Sequence, residues 1–460
     1  MLLVVSAIDT PVRAGTPVSL GELRRPAHGA AAAMAALTAA FYFVGAGRAL
    51  DYDGSVTTGL FVKQGSLLDV FRSVYAYNNQ PYFSFVEHIV WIAGGRSEAW
   101  LRVVPIVAAA AVVGILAAWC AARWGLVAGV VAAGVLAANP MFASLARSVR
   151  GYSLMVLGCT VATLIFADAR ERPGSMTAMR RVGYVAALGI AIGTQFYAVL
   201  VLAAHVVVLV SDRRFDAAWR RRIAAIVAIG ALPYIGMARQ LVATSKGRQG
   251  TFLPMFPVDA ARDVLGHDSV AVAIFAALAM FALASVGRSR GLAPAIATIT
   301  AALLAIWIVV HPLDLYPRFV VWLVPAVALA SACAVARHPK LAAVVAVGIT
   351  AMVLSQAGSW TAQPIASRQI AHIVDDARAA GLEPCATGSS TEVLFAYTAA
   401  VRPVEVAGEV DHCDLLFGMP QTSGLLLAQL ACRYEDHAVL AGTVSIVVMT
   451  HPYPSRPVPC

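Results

Sequence analysis

The sequence predicts an α-helical polytopic membrane protein with about eleven transmembrane helices, interfacial helices in the first outer loop, and a small C-terminal extracytoplasmic α/β domain. Of its 460 residues, 60% are hydrophobic and only 13% are charged, whereas charged residues make up about 25% of a soluble domain. Several apolar runs reach the roughly 20 helical residues that a hydrocarbon core requires. A chain with so much apolar surface is stable only in lipid.

The apolar stretches with helical length define a membrane domain over residues 29–358. They lie at residues 29–46, 99–121, 124–141, 151–167, 182–196, 197–212, 223–238, 268–287, 292–310, 319–336 and 342–358. An odd number of spans places the two termini on opposite sides of the membrane. Residues 1–28 lack the compact apolar core and small-residue cleavage site of a secretory signal peptide. We therefore expect a cytoplasmic N-terminal segment and a first helix that acts as an uncleaved signal.

Positive charges orient the predicted helices. The net charge is +9, and the basic residues cluster in alternate short connections, at 170–181, 213–222, 288–290 and 337–340. By the positive-inside rule these connections and the N-terminus are cytoplasmic. Because the arginines lie between apolar runs, we interpret them as topology signals and expect no nucleic-acid partner. The predicted location is the plasma (inner) membrane, crossed many times.

The outer face then receives a loop at about 47–98, a loop at about 239–267 and the tail 359–460. In the first loop, the segments GLFVKQGSLLDVFRSVY and YFSFVEHIVWIAGG have apolar residues at helical spacing. We expect both to be helices that lie along the outer interface.

The tail differs in character from the membrane domain. Its segment IASRQIAHIVDDARAAGLEP predicts an amphipathic helix, and TEVLFAY, DLLFGM and VSIVVM predict strands. Its four cysteines are Cys385, Cys413, Cys432 and Cys460. On an oxidising side of the membrane they predict up to two disulfides, with three possible pairings. A zinc site is the weaker alternative because no C-x-x-C spacing is present.

An acidic motif follows the outer end of the first predicted helix. In ALDYDGSVTTGLF, Asp51 and Asp53 stand at the boundary between lipid and water. A carboxylate there is suited to act as a general base toward an acceptor hydroxyl beside a lipid-borne substrate. The alternative is that these acids only mark the end of a helix. Two carboxylates are a thin ligand set for a hard cation, so we predict no metal site and leave a metal requirement open.

A second polar cluster comes from NNQPYFSFVEHIVW and RSEAWLRVVP. It contains Glu87, His88, Glu98 and Arg102. Glu87 and His88 are candidates for pocket residues or, alternatively, interfacial residues solvated by headgroups. A cation at mid-depth in a membrane costs about 2.5–3.5 kcal/mol on insertion scales, so we expect Arg102 to reach the interface or to pair with an anion.

Two further motifs place arginines on the outer face, against the charge bias that orients the chain. They are ARSVRGYSL and HPLDLYPRFVVWLVPA, with Arg147, Arg150, Tyr152, Asp314, Tyr316 and Arg318. Arginine there is suited to hold a phosphate by charge-assisted hydrogen bonds. The alternative is pairing with aspartate or lipid headgroups.

The blocks LDYDGSVT, NNQPYFSF, SEAWLRVVP, ARSVRGYSL and YPRFVVWLVPA resemble, in order and spacing, the conserved blocks of the GT-C glycosyltransferases. The resemblance is to the protein O-mannosyltransferase and aminoarabinose-transferase group and covers roughly residues 29–336. That group transfers a sugar from a polyprenyl-phosphate carrier to an acceptor on the outer face, with inversion and without a nucleotide sugar. An acidic residue in the first outer loop is its base.

The resemblance implies roles for individual residues of this chain. Asp53 takes the place of the base, with Asp51 as its nearest companion. The residues implied to bind the carrier phosphate are Arg102, Arg150, Tyr152 and Arg318, the last followed by the aromatic Phe319. We expect Gln80, Glu87, His88 and Tyr316 to line the same pocket. A polyprenyl-phosphate sugar is the implied substrate, and no other cofactor is predicted.

Three positions depart from the family pattern. Gly54 replaces the second acidic residue, Asn79-Gln80-Pro81 replaces a His-Pro-Pro block, and Ser148 replaces the acid before the Arg-x-Tyr pair. These departures keep open a non-catalytic scaffold of the same fold. A transporter or flippase of lipid-linked precursors is another alternative, although the sequence lacks the internal repeats and charged mid-membrane helices typical of that class.

The acceptor is predicted from composition by analogy. The abundance of alanine, valine and arginine resembles actinobacterial cell-envelope proteins. We therefore expect an envelope glycan or glycolipid acceptor rather than a polypeptide.

Overall fold

The computed structural model describes residues 25–47, 50–63, 65–71, 79–238, 256–286, 316–361, 367–387, 402–404, 413–418, 434–440 and 446–452. The α-helices of the first half are α1 (Arg25–Phe43), α2 (Tyr52–Val56), α3 (Pro81–Ile92), α4 (Glu98–Leu101), α5 (Val103–Trp124), α6 (Leu126–Ala138), α7 (Pro140–Ala146), α8 (Tyr152–Glu171), α9 (Ala178–Thr194), α10 (Val199–Ser211) and α11 (Ala217–Ala231). They continue with α12 (Phe256–Leu265), α13 (Ser269–Val286), α14 (Val324–Arg337), α15 (Leu341–Thr361) and α16 (Ser367–Ala379).

The predicted apolar stretches coincide with helices, except for 292–310, which lies outside the described residues. Within the described part, three helices are long and apolar enough to cross a membrane, namely Glu98–Trp124, Tyr152–Glu171 and Pro317–Arg337. The number becomes five if two bent helix pairs each count as one span. The total of about eleven spans stays a prediction.

The two bends have local causes. Leu126–Ala138 and Pro140–Ala146 meet at 68°, where Pro140 has no N–H and the Asn139 side chain accepts the N–H of Phe142 at 3.0 Å. Val258–Leu265 and Ser269–Phe281 meet at 91°. Gly266 has a φ of 128° there, a backbone conformation that favours glycine.

Helices in the bundle pack closely where one partner carries small residues. Helix α5 lies against α1, α6 and α8, and α8 also lies against α9. A Cβ atom added to Gly129 in α6 would lie 2.7 Å from the carbonyl oxygen of Ala117 in α5, so only glycine permits this approach. Small residues at helix contacts are typical of membrane bundles, where dispersion forces rather than exclusion of water hold helices together.

The first outer loop contains several short helical pieces. Helix α2 continues into a π-helical turn at Thr57–Val62, and a short 3₁₀ helix follows at Asp69–Phe71. The single helix predicted over GLFVKQGSLLDVFRSVY therefore breaks after Val62, and residues 72–78 lie outside the described part. The second predicted interfacial helix corresponds to α3, which exposes Ile89 and Ile92.

The tail carries a mixed five-stranded sheet. Its strands are β1 (Pro384–Thr387), β2 (Arg402–Val404), β3 (Leu415–Gly418), β4 (Tyr434–Leu440) and β5 (Ile446–Pro452). Their order is β2-β1-β3-β5-β4, in which β1 is parallel to β2 and β3, while β5 is antiparallel to β3 and β4. The predicted amphipathic helix corresponds to α16, DLLFGM to β3 and VSIVVM to β5. The segment TEVLFAY lies outside the described residues.

A disulfide ties this sheet together. Cys385 in β1 is bonded to Cys413, two residues before β3. The prediction of a disulfide in the tail is thus confirmed for one pair, and Cys432 and Cys460 lie outside the described residues.

The orientation of the chain is testable with a reporter that fluoresces only in the cytoplasm, such as green fluorescent protein. Fused after Cys460, it should stay dark because the tail is predicted to be outside. The matched control, fused after Arg214 in a basic connection, should fluoresce. A bright C-terminal fusion would mean that the number of spans is wrong by one.

Candidate active site

Four segments converge at the predicted outer end of the bundle. They are the acidic motif in α2, the π-helical turn Thr57–Val62 after it, the connection of residues 147–151 between α7 and α8, and a 3₁₀ helix at Pro317–Leu323 that leads into α14. Contacts between these segments join side chains that are up to 265 residues apart in the chain.

Asp51 is held on both carboxylate oxygens. As the N-cap of α2, its Oδ1 accepts the backbone N–H of Gly54 at 2.7 Å. Its Oδ2 accepts the hydroxyl of Ser148 at 3.0 Å. A Cβ atom at Gly54 would lie 2.6 Å from Asp51 Oδ1, so the carboxylate fills the space that a side chain at position 54 would need. Two departures from the family pattern, Gly54 and Ser148, are therefore the two partners of Asp51.

Asp53 forms an ion pair with Arg318. The distance between Asp53 Oδ2 and Arg318 Nη1 is 2.6 Å, and the two side chains are 19% and 34% exposed. The Arg318 guanidinium also lies 4.9 Å from the ring centre of Tyr316 and 5.8 Å from that of Phe319. Phe319 in turn stacks on Tyr197, with ring centres 4.4 Å apart. The pair therefore sits on an aromatic support at a partly exposed position.

Arg150 lies behind this pair and is buried, with an exposed fraction of only 3%. Its Nη1 donates to the hydroxyl of Thr57 at 3.2 Å. Burial lowers the pKa of Arg150, but Tyr152, Asp53 and Asp51 oppose that effect, and the net pKa is raised. Arg150 is thus a permanent cation within electrostatic range of both carboxylates.

Arg102 hydrogen-bonds to the backbone of two separate segments. Its Nε donates to the carbonyl oxygen of Arg147 at 2.7 Å, and its Nη1 donates to that of Ala46 at 2.6 Å. The side chain is buried. Arg102 therefore joins the chain just after α1 to the connection between α7 and α8.

Gln80 supports the same connection from the other side. Its Oε1 accepts the backbone N–H of Gly151, and a Cβ atom at Gly151 would lie 2.7 Å from Cβ of Phe83. Helix α3 therefore packs directly on the backbone of residue 151. Tyr152, the next residue, is buried with its ring centre 5.8 Å from the guanidinium of Arg150.

Glu87, His88 and Tyr316 have separate surroundings. Glu87 is fully buried in α3, a helix too short to cross the membrane, and within the described part of the chain neither carboxyl oxygen has a hydrogen-bond partner. Burial raises the pKa of Glu87 well above its usual 4.5. His88 Nδ1 lies 2.7 Å from the carbonyl oxygen of Val62, so Nδ1 carries the proton. Tyr316 is 41% exposed beside Arg318.

Two partners in the site were not predicted from the sequence. Thr57 stands four residues after Asp53, so one turn of helix places both on the same side. This spacing in the sequence could have identified Thr57 as a site residue. Tyr197 supports Phe319 from a connection between α9 and α10, and no local motif marks it.

The role of Arg102 is testable by Arg102→Lys. An ammonium group cannot span two carbonyl groups as a guanidinium does, and each lost hydrogen bond to a charged group costs about 1.5–3 kcal/mol. The variant should melt several degrees below the wild type in detergent. Arg96→Lys, at an exposed position over Trp91, is the matched control. Equal melting temperatures for all three proteins would contradict the structural role.

The burial of Glu87 predicts a pH dependence of stability. Because its pKa is raised on folding, the folded chain keeps the proton at pH values where the unfolded chain has lost it. The contribution of Glu87 to stability is therefore fully present below pH 4.5 and is lost as the pH rises from 4.5 toward the folded pKa. Glu87→Gln, which is neutral throughout, should melt above the wild type by a margin that widens with pH. A margin between Glu87→Gln and the wild type that stays constant with pH would contradict this account.

The sequence matches no protein-family model and no curated protein. Among solved structures, the chain is similar to the aminoarabinose transferase ArnT from Cupriavidus metallidurans bound to undecaprenyl phosphate, with a TM-score of 0.63, 14% identity, and coverage of 90% of this chain and 97% of that one. The apo form of ArnT gives a TM-score of 0.60, again at 14% identity, with the same coverage of 90% and 97%. The Archaeoglobus fulgidus oligosaccharyltransferase, in complex with zinc and sulfate, gives 0.53 at 11% identity, over 91% of this chain and 73% of that one.

Likeness at such low identity establishes the architecture, and the architecture agrees with the resemblance of the sequence blocks. The chain has the fold of the GT-C membrane glycosyltransferases and is a helical multi-pass membrane protein.

Proposed function

We propose that this protein is an inverting glycosyltransferase that moves a sugar from a polyprenyl-phosphate carrier to an envelope glycan or glycolipid on the outer face of the plasma membrane. The observation that carries the proposal is the partly exposed Asp53 carboxylate, which faces the cations of Arg318 and Arg150. The fold supports it, because a protein of the same fold, ArnT, was crystallised with undecaprenyl phosphate.

The reaction needs a proton acceptor and a stabilised leaving group. In a single displacement, the acceptor hydroxyl oxygen forms a bond to the anomeric carbon while its proton passes to the Asp53 carboxylate. The bond between the anomeric carbon and the phosphate oxygen breaks, and its electron pair stays on the phosphate. A base activates the weak hydroxyl nucleophile, and fixed positive charge stabilises the charge that develops on the phosphate.

The two arginines are suited to different parts of this task. Arg318 is partly exposed and lies on the aromatic rings of Tyr316 and Phe319, so it can contact the carrier phosphate directly. Arg150 is buried behind the carboxylates and contributes positive potential without a change of position. No resident cofactor enters this scheme.

Asp51 is proposed to position the acidic motif rather than to accept the proton. Both of its oxygens are already hydrogen-bonded, to Gly54 and to Ser148. Its N-cap orients the first turn of α2, which carries Asp53. A carboxylate with both oxygens occupied is a poorer general base than one that faces the exposed side of the site.

Changing the two aspartates separately tests this assignment. Asp53→Asn keeps the size and removes the base, so turnover of a radiolabelled polyprenyl-phosphate sugar with envelope lipids should fall by roughly 100-fold or more. Asp51→Asn should cost much less, because asparagine is also a good N-cap. A larger loss for Asp51→Asn would move the base to position 51. If the wild type transfers no sugar, the scaffold or transporter interpretation gains instead.

A further inference from the structure

The ion pair between Asp53 and Arg318 presents a conflict for the proposed reaction. The proposed base and the proposed phosphate ligand occupy each other at 2.6 Å. The carboxylate oxygen that accepts from the guanidinium is not free to accept from an acceptor hydroxyl as well. An arginine engaged by a carboxylate likewise offers fewer donors to a phosphate. The two groups must therefore separate before both can act.

Arg318 is partly exposed and contacts two aromatic rings besides Asp53. Its guanidinium rests on the rings of Tyr316 and Phe319, and a cation keeps its attraction to an aromatic face as it moves across it. Phe319, the residue after Arg318, stacks on Tyr197, and this contact holds the backbone next to Arg318. Within the described residues, the Nε of Arg318 is buried and has no hydrogen-bond partner, so the contact with Asp53 leaves part of the hydrogen-bonding capacity of the guanidinium unsatisfied.

Asp53 and Asp51 have different hydrogen-bond partners, and only Asp53 would lose a partner if Arg318 moved away. Asp51 has a hydrogen bond on each oxygen from Gly54 and Ser148, whereas a described hydrogen bond to the side chain of Asp53 comes from Arg318. Arg150 stays within electrostatic range of Asp53, so a positive charge remains near the carboxylate when Arg318 moves. Release of Arg318 thus removes the described hydrogen bond from Asp53 at the partly exposed side of the site.

We propose that the phosphate of the lipid carrier takes Arg318 away from Asp53, so that binding of the carrier activates the base. This inference rests on the proposed function and adds an order of events to it. A phosphate offers arginine two oxygens in a bidentate arrangement and competes well with one carboxylate oxygen. The carrier binds first, and only then does the acceptor hydroxyl meet a carboxylate able to take its proton.

The same exchange resets the site after transfer. The departing polyprenyl phosphate returns Arg318 to Asp53, which by then carries the proton taken from the acceptor. That proton passes to water, and the resting ion pair between Asp53 and Arg318 then forms again.

The inference predicts that removing the base tightens binding of the carrier. If Arg318 spends about nine-tenths of its time on Asp53, then Asp53→Asn should lower the Kd of a polyprenyl monophosphate by about tenfold. Asp51→Asn removes the same charge from the same motif without touching Arg318 and should change Kd by no more than about twofold. Each Kd is measured by titration of detergent-solubilised protein with the lipid, after melting curves confirm that each variant is folded. Asp53→Ser serves as a second variant if the asparagine protein is unstable.

Arg318→Gln separates exchange from simple repulsion between carboxylate and phosphate. In the Arg318→Gln background, Asp53→Asn should no longer improve binding. If the improvement persists in that background, or if Asp53→Asn leaves Kd unchanged in the wild type, the exchange is refuted while the proposed function stands. If the wild type binds no polyprenyl monophosphate, the proposed function fails as well.

Discussion

The guanidinium of Arg102 is the contact on which the geometry of the site depends. It is buried and donates to the carbonyl oxygens of Ala46 and Arg147, so one cation joins the chain after α1 to the connection before α8. The first of these segments leads into Asp51 and Asp53, and the second carries Ser148 and Arg150. A buried charge that is satisfied by carbonyl dipoles keeps both loops at a fixed separation. Carboxylates and arginines can then face one another across that distance.

The two aspartates of the acidic motif have different partners and are suited to different roles. Asp51 is occupied by a backbone amide and a hydroxyl, both neutral donors. Asp53 is occupied by a cation that is itself partly exposed. The neutral hydrogen-bond donors to Asp51 hold its side chain in place. The contact between Asp53 and the distant Arg318 is one that another anion can replace. The glycine at position 54 is part of this division, because a side chain there would collide with the Asp51 carboxylate.

Local patterns in the sequence account for much of this organisation. Apolar runs located the helices because lipid tolerates little else, and outer arginines stood out because they contradict the charge bias of the loops. Local motifs also singled out Asp53, Arg150 and Arg318. The carbonyl groups of Ala46 and Arg147 that accept from Arg102 could not be predicted, because every residue has a backbone carbonyl and no sequence pattern distinguishes these two.

The parts that sequence patterns missed have equally physical reasons. The first interfacial helix was predicted from spacing alone, and spacing does not reveal a π-helical turn that ends at Val62. Strands β1 and β2 have only four and three residues, too few for an alternating pattern. Strand β4, YEDHAVL, carries charges that obscure its alternation. Tyr197 supports the site from a connection whose relevance depends wholly on the tertiary fold.

The bend at Asn139 has a consequence for the lipid that surrounds the protein. Helix α6 has 13 residues before the bend, a length of about 20 Å against a hydrocarbon thickness of about 30 Å. Beyond it, α7 turns away, and the Asn139 amide nitrogen donates to the carbonyl oxygen of Val264 in α12 at 3.0 Å. An apolar surface shorter than the bilayer is accommodated by local thinning, by flanking side chains that reach the interface, or by oligomerisation. Because α12 lies against the 3₁₀ helix that carries Arg318, Asn139 connects the bend between α6 and α7 to the part of the chain that holds this arginine.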